Sequence, residues 1–451
     1  MLDTLNRRIV QPLVAAKRGS HHLRYLAELE RTQFDPPEAI RARQLVKLKA
    51  QLAHAFATVP YYRRTWAATG VHPSDLKTLA DLAHFPILPK ADVRTRGTEL
   101  HSTAYRGAKM RTKTTSGSTG VPLKIVLDEA GAQWKTACTL RADQWSGWRL
   151  GQRVAKVWGN PEYRHFGLRG RLTNAIVDRA VYLDTIGLTS GRIAEFARAL
   201  RRHRPGMVFG HAHSLYLLAC ALKKARIGDI RPNGVVSTAM PLHDWQRVVI
   251  EEAFGTPATN RYGCEEVSLI ACQCERHAGL HVAAESVLTE VDGKPTGTGK
   301  LLVTDLSNAA MPLIRYEIGD VVTLSDAPCA CGRGLPVIEK VEGRDADFVV
   351  TPAGALISGI SLTENFALHI RGAAQVQIVQ ETTTHLRVRL VKDDAFSDAS
   401  HRQLAKLVTE TFGPTMRYDV EFLDVIPQEP SGKYRFCISK VAAEFMKGLS
   451  A

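Results

Sequence analysis

Apolar residues in the first part of the chain recur at helical spacing. Between Glu38 and Val59 they are Ile40, Leu45, Val46, Leu48, Leu52 and Phe56. The pattern stops before Pro60, so it predicts one amphipathic helix that ends at the proline. In the middle of the chain, MVFG precedes SLYLLACALKKA and VVSTA precedes LHDWQRVVIEEAF. Ser214, at the start of the first of these helical patterns, is a suitable N-cap. Alternation of short apolar runs with helical patterns predicts an α/β layered core.

The pattern changes after Gly343. The runs VQIVQ, LRVRLV and YDVEFLDVI have strand character, with strict alternation in the second, and a helical pattern lies between His401 and Phe412. This mixture predicts a small α+β lid domain after the large α/β core. We place the boundary where Gly, Arg and Asp residues interrupt the apolar runs. Residues 1–342 then form the N-terminal core, with a helical segment over residues 1–100, and residues 343–451 form the C-terminal lid.

Length and charge narrow the class of protein. The 451 residues exceed what one hydrophobic core usually supports. Lys and Arg number 59 against 45 Asp and Glu, a net charge of +14, but the basic residues are scattered and form no long block with interleaved aromatics. Such a charge can mark a nucleic-acid or membrane partner or suit a phosphate-rich substrate. The scatter of the basic residues favours a solvated basic surface, and no nucleic-acid partner is expected. Gln11 and Pro12 interrupt the N-terminal apolar stretch, and no spanning segment follows. We expect a cytoplasmic protein without an integral membrane segment.

Residues Thr114 to Lys124 read TTSGSTGVPLK and form the most informative stretch of the chain. Backbone N–H groups and hydroxyls of such a loop can converge on phosphate oxygens. The order of a Walker A loop is absent, because Lys124 follows Leu123 and precedes Ile125. The sequence therefore predicts a phosphate-binding loop that serves a different nucleotide chemistry.

Four further motifs follow this loop in order: RYGCEE, TDLSNAAMPLIRYEIGD, GRDAD and PSGKYR. Together with VPYYRR and FPILPKADVR nearer the N-terminus, they resemble the acyl-adenylate-forming enzymes. The resemblance is closest to the phenylacetate–coenzyme A ligase family, in its branch found among capsular-polysaccharide genes. It spans nearly the whole chain, and it implies a large adenylate-forming core with a mobile C-terminal lid.

The resemblance assigns expected roles to individual residues. Glu266 is expected to bind Mg²⁺, with the adjacent Glu265 as the alternative, because a hard cation prefers carboxylate oxygens. Tyr262 is expected beside adenine, and Asp320 on the ribose hydroxyls. Arg344 is expected to reach the ribose or phosphates, and Lys433 to be the mobile lysine of adenylation. The residues expected to bind the nucleotide phosphates are Thr115, Ser116, Gly117, Ser118, Thr119 and Gly120.

The cysteines and histidines form a second constellation. Eight cysteines are too few for a disulfide scaffold of this length, and two short clusters of thiols and imidazoles suit tetrahedral Zn²⁺. The family pattern favours a structural zinc held by Cys274, His281, Cys329 and Cys331. Cys272 and His277 are the substitutes.

These expectations lead to one function and two alternatives. The chain is expected to condense a carboxylic acid with ATP to an acyl-AMP and to pass the acyl group to coenzyme A. The alternatives are transfer to an amine, which gives an amide, and a non-catalytic nucleotide-binding role in polysaccharide assembly. The chain departs from the family pattern in reading VVSTAMPL where relatives commonly carry Gly-Glu, at Ala239 and Met240. The acid pocket is therefore expected to differ, with Trp158, His211, His213 and Ser237 as candidate lining residues.

Overall fold

The computed structural model describes residues 2–114, 123–157, 167–183, 190–239, 242–344, 348–354, 356–358, 362, 369–427, 435–442 and 444. Contacts divide the chain into two compact units. The first comprises residues 1–242, 246–318 and 322–340, and the second comprises residues 243–245, 319–321 and 341–451. Among the described helices, none combines the length and apolarity that crossing a bilayer requires.

The first unit contains most of the described helices. They are α1 Leu2–Leu5, a π-helical turn Asn6–Val10, α2 Gln11–Lys17, α3 His22–Thr32, α4 Pro37–Thr58, α5 Pro60–Thr69, α6 Lys90–Thr95, α7 Glu129–Trp145, α8 Gly167–Thr173, a second π-helical turn Asn174–Asp178, α9 Ser190–His203, α10 Ala212–Lys224 and α11 Asp244–Phe254, whose first two residues fall in the second unit. Short 3₁₀ turns occupy Pro73–Asp75, Ala80–His84, Gly97–Leu100 and Thr103–Tyr105.

An eleven-stranded sheet forms the centre of the described core. Its strands, in chain order, are β3 Val154–Val157, β4 Ala180–Leu183, β5 Met207–His211, β6 Gly234–Thr238, β7 Ala258–Cys264, β8 Ser268–Gln273, β9 Leu280–Val282, β10 Val287–Val291, β11 Gly297–Asp305, β12 Tyr316–Ser325 and β13 Val337–Arg344. Their order across the sheet is β10, β11, β12, β13, β9, β8, β7, β6, β5, β3, β4. A separate antiparallel hairpin consists of β1 Arg111–Thr114 and β2 Lys124–Leu127.

Pairing in this sheet changes character at β7. From β4 to β7 the neighbours are parallel, whereas β7 pairs antiparallel with β8. Helices cover the parallel part with their apolar faces: Leu200 of α9, Leu215 of α10 and Ile250 of α11 are buried with Val208 and Val235 of the sheet. The chemistry-bearing RYGCEE motif begins on β7 itself, at the position where the pairing changes.

The second unit contains a smaller sheet. Its elements are β14 Phe348–Val350, β15 Leu356–Ser358, β16 Ala373–Thr382, β17 His385–Lys392, α12 Asp398–Phe412, β18 Arg417–Phe422 and β19 Cys437–Ser439. The four-stranded sheet has the order β18, β17, β16, β19. The alternation predicted for β17 is confirmed, because Leu386, Val388 and Leu390 are all fully buried.

The predicted α/β core and small α+β C-terminal domain are confirmed. The predicted N-terminal helix appears as α4, and it buries Ile40, Leu48 and Leu52. Val46 belonged to the same apolar pattern but is 70% exposed. The prediction of Ser214 as an N-cap is wrong. Helix α10 begins directly after β5, with His211 at its N-cap, so Ser214 lies buried inside the first turn.

Candidate active site

The RYGCEE motif lies at the turn between β7 and β8. Gly263 is required there by a close approach of the backbone, since a Cβ at this position would stand 2.3 Å from the carbonyl oxygen of Ser268. A register shift in the pairing of β7 with β8 falls between Tyr262 and Gly263. The turn that follows carries Glu265, which is exposed, and Glu266, which is buried. The two glutamates of the motif therefore have different environments although they are adjacent in sequence.

Glu266 is held by two side chains that the sequence reasoning did not assign. The hydroxyl of Tyr316 donates to Glu266 Oε1 at 3.0 Å, and Lys90 Nζ stands 3.1 Å from the same oxygen. Burial acts to raise the pKa of Glu266, but the Lys90 ammonium and the hydrogen bonds to the carboxylate together hold that pKa below its ordinary value. Glu266 is therefore a buried carboxylate that keeps its negative charge.

Backbone pairing explains how Lys90 reaches this carboxylate. The amide of Leu88 donates to Arg315 O at 3.0 Å, and the amide of Glu317 donates to Leu88 O at 3.0 Å. The FPILPK segment is thereby fixed alongside Tyr316 at the start of β12. Arg315, buried and at a positive φ of 50°, also donates to the carbonyl of Ala83 at 2.9 Å. Lys90 belongs to the FPILPKADVR motif and Tyr316 to the TDLSNAAMPLIRYEIGD motif, so their membership of these motifs was a signal that could have identified both residues.

The base of the predicted phosphate loop lies at the same turn. Strands β1 and β2 pair with Thr114 opposite Lys124, so the intervening residues connect the two ends of one hairpin. Lys113, one residue before the end of β1, donates to Ser268 Oγ at 3.0 Å and stands 3.7 Å from Glu265 Oε2. The loop residues Thr115, Ser116, Gly117, Ser118, Thr119 and Gly120 themselves lie outside the described residues. The roles of these loop residues stay predictions. The two strands that flank them, β1 and β2, form the hairpin that contacts the Glu265–Glu266 turn through Lys113.

The remaining predicted nucleotide ligands are placed as follows. Tyr262 lies half-buried on β7, opposite Ala271 of β8. Asp320 lies buried on β12, four residues after Tyr316. Arg344 is the last residue of β13, and its side chain is outside the described part of the structure, as is the whole of Lys433. The nucleotide roles of these residues remain predictions.

The departure at the acid pocket has a structural counterpart. Ala239 follows β6 with a φ of 65°, a left-handed conformation that glycine adopts without strain. Ser237 on β6 and His211 at the end of β5 are both buried. Met240, Trp158 and the side chain of His213 lie outside the described residues, so the lining of the acid pocket also remains a prediction.

The four preferred metal ligands come together in space. One ligand atom from each of Cys274, His281, Cys329 and Cys331 lies within 4.8 Å of the others. Cys274 Sγ is 3.8 Å from Cys329 Sγ, and Cys331 Sγ is 3.2 Å from His281 Nε2. The substitute Cys272 is buried elsewhere, with its Sγ 3.9 Å from Ala142 O. Cys274 and His281, from the β8–β9 region, therefore lie close to Cys329 and Cys331, which are two residues apart before β13.

The surroundings of this cluster favour His281 as a metal ligand. The Nδ1 atom of His281 is 3.4 Å from the carbonyl oxygen of Leu335, and its Nε2 atom faces the thiol of Cys331. Burial lowers the pKa of His281 to about 4, which keeps the ring neutral. Burial also raises the pKa of Cys274 to about 12. A neutral imidazole is a metal ligand, and a cation among the thiols would favour their deprotonation.

The chain is similar in sequence to a family model and to known acid–coenzyme A ligases. The family model for the CapK C-terminal domain matches residues 349–440. Phenylacetate–coenzyme A ligase of Aromatoleum evansii is 28% identical over 339 residues, which cover 72% of this chain and 74% of the relative. Phenylacetate–coenzyme A ligase of Thermus thermophilus is 24% identical over 91% of this chain and 98% of its own length. The chain is a relative of the phenylacetate–coenzyme A ligases. The resemblance predicted from the motifs is thereby confirmed.

A solved structure shows the same fold. The crystal structure of 2-hydroxyisobutyryl-CoA ligase in the postadenylation state, in complex with R3-HIB-AMP, superposes with a TM-score of 0.73 at 19% identity. The match covers 93% of this chain and 94% of that protein. At this identity the likeness shows the fold alone, which is that of the adenylate-forming ligases.

Proposed function

We propose that this chain is an AMP-forming acid–thiol ligase. In the first step a carboxylate oxygen attacks the α-phosphorus of ATP, the bond to the β-phosphate oxygen breaks, and pyrophosphate leaves. In the second step the sulfur of coenzyme A attacks the acyl carbon, the carbon–oxygen bond to AMP breaks, and the thiol proton is released. The acyl group ends as a thioester, and AMP is the second product.

The observation that carries the proposal is the position of the β1–β2 hairpin against the Glu265–Glu266 turn. Lys113 connects the hairpin to that turn, and Lys90 and Tyr316 keep Glu266 buried and charged. A hairpin whose connecting residues are predicted to bind phosphate, next to a turn that carries a charged carboxylate, would suit a nucleoside triphosphate with its counter-cation. The near full-length similarity to a phenylacetate–coenzyme A ligase supports the same assignment.

Each predicted site residue has a defined task in this mechanism. The hydroxyls and amides of residues 115–120 would bind the β- and γ-phosphates and stabilise the departing pyrophosphate. Tyr262 would contact the adenine, and Asp320 would accept the ribose hydroxyls. Arg344 and Lys433 would supply positive charge to the phosphates and to the reacting carboxylate. Lys433 then has to leave before the thiol can approach, which is the chemical reason for a mobile C-terminal domain.

The residues present fit the two metals that the family implies. Glu266 retains the negative charge that a magnesium ligand needs, and Mg²⁺ bound there would neutralise phosphate charge. Cys274, His281, Cys329 and Cys331 fit a structural Zn²⁺ through their donor set and their mutual proximity. The cluster joins segments about fifty residues apart in the chain, so a zinc ion there would stabilise the core rather than take part in the reaction.

We also propose that the protein works in the cytoplasm. None of the eight cysteines, all of which lie in the described part of the chain, forms a disulfide, as expected in a reducing compartment. ATP and coenzyme A as co-substrates point to the same location.

Exchange of labelled pyrophosphate into ATP tests the first step. The exchange is measured across a panel of aryl and aliphatic acids, and AMP and thioester formation are then followed with coenzyme A or with candidate amines. Acid-dependent exchange followed by thioester formation is the expected result. Lys433→Ala is expected to lower the exchange by about 10² or more. Amide formation without thioester would assign an amine acceptor, and no exchange with any acid would favour a non-catalytic nucleotide-binding protein.

Metal analysis tests the zinc assignment. We expect about one zinc per chain, because four ligands make one tetrahedral site. Cys331→Ser is expected to lower both the zinc content and the unfolding temperature, since metal binding is coupled to folding. Cys220→Ser, which changes a thiol outside the cluster, is the control. Protein prepared without chelators that contains no zinc would contradict the assignment.

A further inference from the structure

The exposed apolar residues of this protein are concentrated in two helical segments. Seven of the thirteen exposed large hydrophobic side chains in the described part of the chain belong to residues 2–17 or 167–178: Leu2, Leu5, Ile9, Leu13, Leu168, Leu172 and Ile176. Single exposed leucines are ordinary, but a group of this size marks an interaction surface. Leu168 is 84% exposed and Leu13 is 64% exposed, whereas Leu26 and Leu29 in the next helix along the chain, α3, are buried.

The two segments lie against each other. The side-chain amide of Gln11 donates to Val177 O at 3.0 Å, and the side-chain amide of Asn6 donates to Ile176 O. Arg179, directly after the second segment, forms an ion pair with Asp3 at 2.7 Å. Each segment also presents its apolar residues three or four positions apart, which is the spacing of one helical face. The seven side chains therefore belong to two helical segments of the first unit that contact each other.

Exposed basic residues accompany the apolar ones. Arg7, Arg8, Arg169 and Arg171 are all exposed within the same two segments. A cavity of about 650 Å³ lies where the two segments meet. It is lined by apolar residues that include Leu2 and Leu5, and by Arg153, Arg179 and Arg202. Among the described residues that line the cavity none is acidic, although Asp3 pairs with Arg179 beside it. We call the seven apolar residues together with Arg7, Arg8, Arg169 and Arg171 the basic apolar surface.

We propose that the basic apolar surface docks the protein on an anionic phospholipid bilayer. Leucine and isoleucine side chains would enter the boundary between headgroups and acyl chains, and the arginines would contact the phosphates. Burial of seven exposed apolar side chains and neutralisation of four arginines act in the same direction. A second copy of the chain fits the surface less well, because a symmetric dimer would bring the same arginines toward each other, while the two segments contain as acids only Asp3, which already pairs with Arg179, and Asp178. The proposal is independent of the ligase reaction, because none of these residues belongs to the candidate active site.

Vesicle sedimentation of the full chain tests the proposal. The probes are vesicles of phosphatidylcholine alone and vesicles that also contain about 30 mol% phosphatidylglycerol, since attraction to a bilayer depends on its anionic lipid. We expect the protein to sediment with the anionic vesicles, not with the neutral ones, and to be released by salt. Leu13→Glu combined with Leu168→Glu is expected to lower the partition coefficient by about tenfold or more. Arg8→Glu combined with Arg169→Glu is expected to lower it by about tenfold.

The matched control is Val46→Glu, which places the same charge at an apolar position that is 70% exposed on α4. It is expected to sediment like the wild type. Unfolding temperature and pyrophosphate exchange are measured for every variant, so a failure of the ligase proposal is distinguishable from a failure of this one. Wild-type protein that stays in the supernatant with anionic vesicles would overturn the proposal, as would equal loss in Val46→Glu. A wild-type dimer that Leu13→Glu and Leu168→Glu convert to a monomer, without vesicle binding, would assign the surface to self-association instead.

Discussion

Three lysine–carboxylate pairs surround the turn from Glu265 to Val267, and they differ in their access to solvent. Lys135 Nζ pairs with Asp305 Oδ2 at 2.7 Å with side-chain exposures of 4% and 0%. Lys90 pairs with Glu266 at 3.1 Å with exposures of 33% and 5%. Lys113 stands 3.7 Å from Glu265 with exposures of 37% and 52%. The three ion pairs around this turn are therefore one buried pair, one pair with an accessible lysine and one surface pair.

The hydrogen bonds around each pair separate a structural role from a chemical one. Lys135 also donates to Val267 O at 2.8 Å, and Asp305 Oδ1 accepts from the amides of Ser307 and Asn308. Through these contacts both charges of the buried pair already have protein partners, and the pair is bonded to the turn at Val267. Lys90 is a third exposed, so its ammonium can move when another cation or a phosphate approaches Glu266. A charged carboxylate with an exchangeable partner is suited to binding, whereas a fully bonded one is suited to stability.

The buried pair is expected to give the largest effect on stability. Lys135→Met leaves the carboxylate of Asp305 buried without its counter-charge, so we expect a loss of about 3 to 5 kcal/mol in the free energy of unfolding. Chemical denaturation measures this loss. Lys135→Met combined with Asp305→Asn removes both charges and keeps an acceptor for Ser307 and Asn308, so it is expected to recover at least half of the loss. An unchanged unfolding free energy in Lys135→Met would contradict the structural role of this buried pair.

Glu266→Gln is expected to give the largest effect on catalysis. The amide keeps the shape of the side chain but removes the charge proposed to bind Mg²⁺, so pyrophosphate exchange should fall by about 10² or more. The unfolding temperature is expected to fall by no more than it does in Lys90→Met, because both variants remove the same ion pair. Glu265→Gln is the matched control, since Glu265 is exposed and adjacent. If Glu265→Gln loses the exchange and Glu266→Gln retains it, the alternative magnesium ligand is the correct one.

Lys90→Met is expected to give an intermediate effect that depends on pH. The pair with Glu266 should contribute about 1 to 2 kcal/mol, which is toward the lower end for a hydrogen bond to a charged group because Lys90 is partly exposed. The pKa of Glu266 is lowered in the folded chain. The stabilisation is therefore present above the ordinary pKa of a glutamate and is lost as the pH falls through the lowered value.

Thermal unfolding of wild type and Lys90→Met, measured without Mg²⁺ from neutral to acid pH, checks this. The gap between the two unfolding temperatures should be widest at neutral pH and should close on acidification. Lys223→Met, which removes an exposed lysine paired with Glu252, should show no such pH dependence. A gap that widens toward acid pH would mean that Lys90 does not act through Glu266.

Lys113→Met is expected to give the smallest effect on stability. Its pair with Glu265 is long and exposed, so the change in unfolding free energy should stay below about 0.5 kcal/mol. A larger loss in chemical denaturation would show that the bond from Lys113 to Ser268 Oγ, rather than the ion pair, holds the hairpin to the turn. Ser268→Ala separates these two contributions.

Periodicity in the sequence predicted elements whose burial is set by local pattern. Helix α4 and the buried alternation of β17 are confirmed for this reason, since spacing alone decides which face is apolar. The same reasoning failed for Val46, which fits the helical pattern but faces no neighbouring element. It failed for Ser214 because the end of a buried strand, not the local capping preference, fixed where α10 begins.

Motifs and short-range spacing were enough to predict the adenylate-forming kinship and the division into an α/β core and a small α+β domain, because both are recorded in the order of residues. For the thiol–imidazole cluster, the family resemblance supplied a preferred set of four residues with Cys272 and His277 as substitutes, and the folded chain brings the preferred four together. No motif or spacing predicted that Lys90, Tyr316 and Lys113 would surround the Glu265–Glu266 turn, or that residues 2–17 would lie against residues 167–178. Such contacts join segments up to about 180 residues apart in the chain, and no local pattern records them, because they exist only after strand pairing has fixed which distant segments become neighbours.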